Sequence, residues 1–391
     1  MKVITSSLGT FHILEQAIQL QKKGALEKFI TGIPSILIQG KQIPKKKITS
    51  IWQSFLIAYA HSKINTILNS SSSSRLLELT HNDFSRRLAK KITNGTELFI
   101  GGSSFCSHAI EKAKSMNIKT VVDHGSLHET YDLKQMMIEK DKYGFKISGN
   151  SKHSWLRQKE DKEFQLADHI FVTSEVAKST FVEEGIPSSK VIVNNLGVSL
   201  SKFKKSEKLD SKFRVLFCGN VIPRKGIHYL LKSFKKLNLP NSELLIIGSL
   251  NILSKDNNFK KYLSKFNQEN IIFKGVISSH QLSEYFSQCS VMVLPSLSDG
   301  FGRVINQAMA CELPVIVSNQ TGAADLIING VNGLITKARD VDALSKALEF
   351  HYLNKEESKR MGKNGFNSIK GKYTWDNYGE QLERIIKTII P

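Results

Sequence analysis

Residues 291–317 read Val-Met-Val-Leu-Pro-Ser-Leu-Ser-Asp-Gly-Phe-Gly-Arg-Val-Ile-Asn-Gln-Ala-Met-Ala-Cys-Glu-Leu-Pro-Val-Ile-Val. The apolar run Val291 to Leu294 stops at Pro295 and a Ser/Asp/Gly turn. A helical period follows, then a second apolar run from Pro314 to Val317. That order predicts strand, tight loop, helix, strand. The loop gathers Asp299, Gly300, Gly302 and a helix start in one place. Open α/β sheets bind ligands at the carboxyl ends of their strands, and the free N–H groups of a helix start attract anions.

Outward from this unit, strand and helix patterns alternate along most of the chain. In the first half, strands are expected at Val3 to Thr5, Leu98 to Ile100, Thr120 to Asp123, His169 to Thr173 and Val191 to Val193. In the second they are expected at Phe213 to Phe217, Leu244 to Ile247, Ile271 to Phe273, Val291 to Leu294 and Val315 to Val317. Helices are expected over His12 to Lys23 and Phe105 to Met116. Such alternation predicts α/β architecture: two Rossmann-like domains whose parallel sheets face each other across a cleft. The boundary falls in the polar, Lys-rich stretch from Ser199 to Ser211. The expected units are 1–198, a linker over 199–212, and 213–373, with a final helix over 374–391. The Ser70 to Ser74 run reads as a loop tip or insertion.

Composition narrows the class. The 391 residues are 40% hydrophobic and 23% charged, as in a globular protein. No apolar run is long enough to span a bilayer, and the first residues lack a signal-peptide layout. Cys106, Cys218, Cys289 and Cys311 stand far apart without a Cys-x-x-Cys pair, which fits reduced thiols in a cytoplasmic protein. The formal net charge of +20 is dispersed, with its densest cluster from Lys41 to Lys47. Ile51-Trp52-Gln53-Ser54-Phe55-Leu56-Ile57 follows that cluster, and a basic run beside an aromatic amphipathic segment suits the inner face of an anionic membrane. A surface loop leading into a partly buried helix accounts for the same residues. No nucleic-acid-binding module accompanies the charge.

Several turns carry groups suited to a phosphorylated ligand. Arg224-Lys225-Gly226 follows a strand and precedes a helix. Arg binds oxygens bidentately and Lys acts as a point charge, so the pair suits a diphosphate. Ser6-Ser7-Leu8-Gly9-Thr10-Phe11-His12 follows the first strand, where Gly9 lets the backbone approach a ligand. Asp123-His124-Gly125-Ser126-Leu127-His128 follows another. Its His-x-x-x-His spacing is broken by a Gly-Ser turn, which argues against metal binding. Ser174 reads as a helix cap. Asp340-Val341-Asp342 mimics a metal-binding Asp-x-Asp but opens a helix, where Asp is common.

The stretch from 295 to 317 also resembles the retaining glycosyltransferases of family 4, with their Pro-Ser, acidic residue, Gly-Phe-Gly, second Glu and Pro-Val-Ile strand. Gln307 replaces the second Glu, Glu312 stands where Gly is usual, and Asn220 stands where the family usually has Arg. Asp-Gly-Phe-Gly followed by Gln-Ala is similar to one subgroup. Lys225-Gly226 matches the family's Lys-Gly, with Arg224 able to supply the missing cation. The resemblance covers nearly the whole chain and implies a GT-B fold, with residues 374–391 packing back on the first domain. It implies retaining hexosyl transfer from a nucleotide sugar, UDP- or GDP-linked, with no metal or other cofactor. The acceptor would be a glycan, lipid-linked or small molecule, in polysaccharide or cell-envelope synthesis. Asp299, Arg224, Lys225 and His124 would be catalytic. His128 is an alternative to His124, and a purely structural His124 stays open. Gly9, Gly275, Val276, Gly300, Phe301, Gly302 and Gln307 would bind the donor. A nucleotide-sugar epimerase and a catalytically degenerate glycan- or membrane-binding protein are the alternatives.

Overall fold

The computed structural model describes every residue except 11, 39–41, 55, 57–71, 147–153, 251–255 and 391, and only the backbone of 72–74. Phe11 of the first loop, Lys41 of the basic run, Phe55 and Ile57 of the amphipathic segment, and Ser70 and Ser71 lie outside the described residues.

Two parallel sheets account for the alternation. The first holds β1 (Val3–Ser7), β2 (Leu26–Thr31), β3 (Ile48–Ser50), β4 (Leu98–Gly102), β5 (Lys119–His124), β6 (His169–Val172) and β7 (Val191–Val193). Their order is β3-β2-β1-β4-β5-β6-β7. The second holds β8 (Phe213–Cys218), β9 (Ser242–Ile247), β10 (Ile271–Gly275), β11 (Val291–Leu294), β12 (Val315–Ser318) and β13 (Leu334–Thr336). Their order is β10-β9-β8-β11-β12-β13. Central strands such as β1, β4, β11 and β12 are buried along their whole length, which explains their unbroken apolar or small-residue character. β2, β3 and β13 were not anticipated. β3 and β13 are three-residue sheet edges, and β2 carries Glu27 and Lys28 on half-buried positions.

In each sheet the winding reverses once, between β1 and β4 and between β8 and β11. Crevices at such switch points are where doubly wound sheets bind ligands. The loops after β1, β8 and β11 are those that the sequence marks with Gly9, Arg224-Lys225 and Asp299.

Several segments tie the halves together. Gly197 lies against Thr374, and the Val198 N–H donates to the Tyr373 carbonyl at 2.9 Å. The helix Trp375–Ile389, started by a Thr374/Asn377 capping box, then lies on the first-half helix Ile13–Lys22. Gly379 approaches Gln19 there, and Lys22 pairs with Asp376 at 2.7 Å. The third tie is the helix Glu129–Tyr143, which leaves the first sheet and roots in the second half. Its Glu139, 1% exposed, accepts from Arg339 Nε at 2.7 Å and lies 2.8 Å from His228 Nε2. Phe145 just beyond it packs against Phe259, His228 and Tyr262.

Candidate active site

The second half supplies two interlocked loops. After β8 the chain makes a short 3-10 turn, Pro223–Lys225, before the helix Ile227–Leu237. Gly226 joins them at φ +69°, and a Cβ there would lie 1.9 Å from the Pro295 carbonyl oxygen, so only glycine fits. The Leu297 N–H donates to the Arg224 carbonyl at 2.8 Å, and Arg224 Nη1 donates to the Ser298 carbonyl at 2.5 Å. The Lys225 ammonium donates to Asp299 Oδ2. Asp299 is 8% exposed. Burial pushes its carboxyl up, but the charges of Lys225 and then Arg224, with hydrogen bonds from Lys225 and the Phe301 N–H, leave it below the ordinary carboxylate range. Burial draws the Lys225 ammonium down, and Asp299 opposes that.

The Asp299 loop is held from the first half as well. Thr173 Oγ1 and Ser174 Oγ both donate to the Gly300 carbonyl, at 2.9 and 2.7 Å. Ser174 also caps the helix Glu175–Glu183 through the Ala177 N–H, as its position predicts. A Cβ on Gly300 would lie 2.6 Å from the Ser126 Cα, so the two halves meet backbone to backbone here. Gly302, at φ +76°, is the N-cap of the helix Arg303–Ala310, which carries Gln307 half-buried. Gly275 ends β10 at φ +72°, its carbonyl accepting from the Gly248 N–H at 2.8 Å, and Val276 is 75% exposed beside it. Asn220 is exposed. Glu312 is in the left-handed region at φ +54° and pairs with Lys205.

In the first half Gly9 follows β1, half-buried in the loop. His124 ends β5 with its ring inside the first half. Its Nδ1 lies 2.9 Å from Ser103 Oγ and its Nε2 3.1 Å from the Leu127 carbonyl oxygen, while Phe164 and Phe181 flank its ring. Burial depresses it to about 4. Both nitrogens are thus spent on the fold. His128 accepts from the Thr130 N–H and lies 3.6 Å from Asp161. The imidazole beside the inter-domain Gly-Ser turn is instead His12. Its Nε2 lies 2.6 Å from Asp123 Oδ1, and its ring abuts Gly125. Gln16 donates to the other Asp123 oxygen at 2.7 Å and to the Tyr378 hydroxyl at 3.1 Å, which links this pair to the C-terminal helix. The sequence signals for His12 and Asp123 were the helix start after one central strand and the end of another. Asp340 caps the helix Val341–Leu353 through the Ala343 N–H, and Asp342 pairs with Lys236, so the Asp-x-Asp serves a helix start.

Residues 199–368 match the family described as glycosyl transferases group 1. The capsular polysaccharide biosynthesis glycosyltransferase CapM of Staphylococcus aureus is 30% identical over 234 residues, 57% of this chain and 59% of CapM. The GDP-mannose-dependent alpha-(1-6)-phosphatidylinositol monomannoside mannosyltransferase of Mycolicibacterium smegmatis is 23% identical over 239 residues, 56% of this chain and 62% of the relative. The chain thus spans about three fifths of the length of these curated relatives. Among solved structures, sucrose-phosphate synthase from Thermosynechococcus elongatus superposes with a TM-score of 0.69 at 17% identity, covering 100% of this chain and 99% of the other. Anabaena HepE in complex with UDP and glucose gives 0.68 at 14%, covering 99% and 100%. Likeness at these identities establishes the fold, and the fold is GT-B.

Proposed function

We propose that this protein is a retaining glycosyltransferase that takes a hexosyl group from a nucleotide sugar, UDP- or GDP-linked, and builds cell-envelope polysaccharide. The observation that carries this reading is the convergence of Arg224, Lys225 and Asp299 at the switch point of the second sheet, closed over by Gly125-Ser126 of the first. The domain division at 199–212 follows the same logic, with donor on the second unit and acceptor on the first.

In the reaction, the bond from the anomeric carbon to the diphosphate oxygen breaks. A bond to the acceptor oxygen forms on the same face, and the acceptor's proton passes to the departing diphosphate. Negative charge therefore grows on the leaving group. Arg224 and Lys225 offset it without a metal, and a single pre-organised donor of this kind contributes roughly 2.7–4 kcal/mol. Donor binding separates Lys225 from Asp299, freeing the ammonium for phosphate and the carboxylate for sugar hydroxyls and the developing positive charge. The N–H groups of Phe301 and Gly302 face sugar or phosphate, Gly9 the leaving phosphate, Gly275-Val276 the base, and Gln307 the ribose. Gln307 accepts through a neutral oxygen, a weaker partner than a carboxylate. With both nitrogens engaged, His124 keeps a positioning part, bracing the turn that carries Gly125.

A thermal-shift panel of UDP-glucose, UDP-N-acetylglucosamine, UDP-galactose and GDP-mannose tests the reading, because a ligand that binds the native state raises its melting temperature. Asp299→Asn should lower transfer by about 10³-fold with the fold intact, and EDTA should leave the wild-type rate unchanged. Near-wild-type turnover by the variant, or EDTA inactivation reversed by a divalent ion, refutes the assigned roles.

A surface feature supports peripheral membrane contact as well. Ile36, Leu37, Trp52 and Leu56 are exposed on the first domain, and the Lys45–Lys47 turn lies between them in the chain. Among the described residues no helix is long and apolar enough to cross a membrane.

A further inference from the structure

Arg224, Lys225 and Asp299 follow the carboxyl ends of β8 and β11. The amino ends of the same sheet enclose a separate cavity of about 740 Å³. Phe213 opens β8, and Asn241, Ser290 and Pro314 stand just before β9, β11 and β12, and all four line this cavity. None of Arg224, Lys225 and Asp299 does. Strands of four and six residues lie between the two places. At a rise of roughly 3.3 Å per residue, that is a separation of about 13–20 Å.

The cavity exists because the linker crosses the strand starts without filling the space beneath it. Its backbone hangs from the helix Leu282–Ser287 and the residue that follows. The N–H groups of Lys204, Ser206 and Leu209 donate to Ser283 Oγ, Ser287 Oγ and Gln288 Oε1 at 3.0, 2.8 and 2.9 Å. Gln288 Nε2 donates in return to the Glu207 carbonyl at 2.7 Å. Side chains along one flank thus satisfy the linker, and the sheet does not have to reach it. Phe213, Phe286, Leu313 and Tyr352 give the space aromatic and aliphatic walls. Cavities of about 300–1,000 Å³ with apolar walls and a few polar groups hold small organic ligands.

The charges of the lining are unevenly matched. Lys205 pairs with Glu312, Asp210 with Arg214, and Lys359 with Glu356. Glu207, the remaining acid, is exposed on the linker. Lys208 and Lys355 line the cavity without an ion-pair partner among the described residues. Lys208 Nζ donates to the Lys212 carbonyl at 2.5 Å and to Ser290 Oγ at 2.8 Å, which leaves one N–H of the ammonium to spare. Burial draws this ammonium down; Asp210 opposes that, and the charges of Arg214 and Lys355 add to it. Lys355 is exposed at the start of the helix Lys355–Lys372.

We propose that this cavity is a second ligand site, and that its ligand is an apolar anion: a carboxylate, sulfonate or phosphate carried on an aromatic or aliphatic body. The body lies against Phe213, Phe286 and Tyr352 beneath the linker, and the anionic group meets Lys208 and Lys355. Because the linker forms one wall, an occupant braces the segment that joins the two halves. The site stands independently of the transferase reading.

The test titrates the protein with 8-anilinonaphthalene-1-sulfonate, an apolar anion, and with neutral N-phenyl-1-naphthylamine. Fluorescence and calorimetry should show a single sulfonate bound per chain, at least tenfold more tightly than the neutral probe. An excess of UDP or GDP should not displace it. Lys355→Glu should weaken the sulfonate at least tenfold and leave the neutral probe within twofold, which also reports an intact fold. Lys370→Glu makes the same charge change at an exposed residue of the same helix outside the cavity, and should leave both probes within twofold. Absence of saturable binding, displacement by either nucleotide, equal affinity for the two probes, an unchanged affinity in Lys355→Glu, or an equal loss in Lys370→Glu would overturn the site.

Discussion

At the scale of single residues, the Lys225–Asp299 pair sets the strongest constraint. The two side chains are 15% and 11% exposed, so removing one partner strands a buried charge. Lys225→Met should destabilise the protein by about 3–5 kcal/mol in urea unfolding, and adding Asp299→Asn should recover most of that. A double variant no more stable than the single one would mean that the ion pair is not the cause. His124 gives a pH signature. Its native value is about 4 against an ordinary 6.5, so between these pH values the unfolded chain binds a proton that the native chain refuses. Stability from this group is therefore present above pH 6.5 and falls as pH drops toward 4, by roughly 3 kcal/mol. Glu160 and Glu163, raised from 4.5 to about 7, act in the opposite sense, losing stability as pH rises from 4.5 to about 7. The gap between wild type and His124→Gln should accordingly depend on pH from 4 to 6.5, and a constant gap would remove His124 from the account. Asp299, Arg224 and Lys225 were legible as site candidates because a loop between strand and helix has few other reasons to hold them. His12 and His124 were not distinguishable. His12 starts the helix after one central strand and His124 ends another, and only three-dimensional packing shows that Phe164 and Phe181 enclose the second.

At the scale of elements, glycines mark where backbones touch. Gly300 faces the Gly125-Ser126 turn so closely that a methyl group has no room. Gly300→Ala should therefore wedge the two halves apart. The expected result is transfer reduced at least 100-fold and a larger radius of gyration in small-angle scattering with donor bound. Unchanged scattering and rate would show that the contact is dispensable. The long central strands were readable from their apolar runs, since burial on both faces leaves little choice of residue. β2 was not, because Glu27 takes hydrogen bonds from Thr93 and Thr96 and so keeps a charge inside a strand pattern. The helix Glu129–Tyr143 gave no sign in sequence of serving the other half. Its apolar and charged residues make an ordinary surface pattern until His228 and Arg339, some 90 and 200 positions away, converge on Glu139.

At the scale of the molecule, the +20 charge and the exposed Ile36, Leu37 and Trp52 belong to one question. In the proposed membrane contact, charge would attract the protein to an anionic bilayer and apolar side chains would then insert. Flotation should show binding to vesicles rich in phosphatidylglycerol, none to phosphatidylcholine vesicles, and loss in Trp52→Ser. Equal binding to both vesicle types would exclude the electrostatic part. The two-sheet plan was legible from alternation alone, whereas the ties between the halves were not, because each joins residues far apart in the chain. One tie bears on biosynthesis. Tyr378, Leu382, Ile386 and Ile389 of the last helix are buried against a helix that ends at Lys22. The first domain therefore waits for residues 375–389 to be made before its surface is covered. Until then, the nascent protein carries an exposed apolar face of the kind that chaperones recognise.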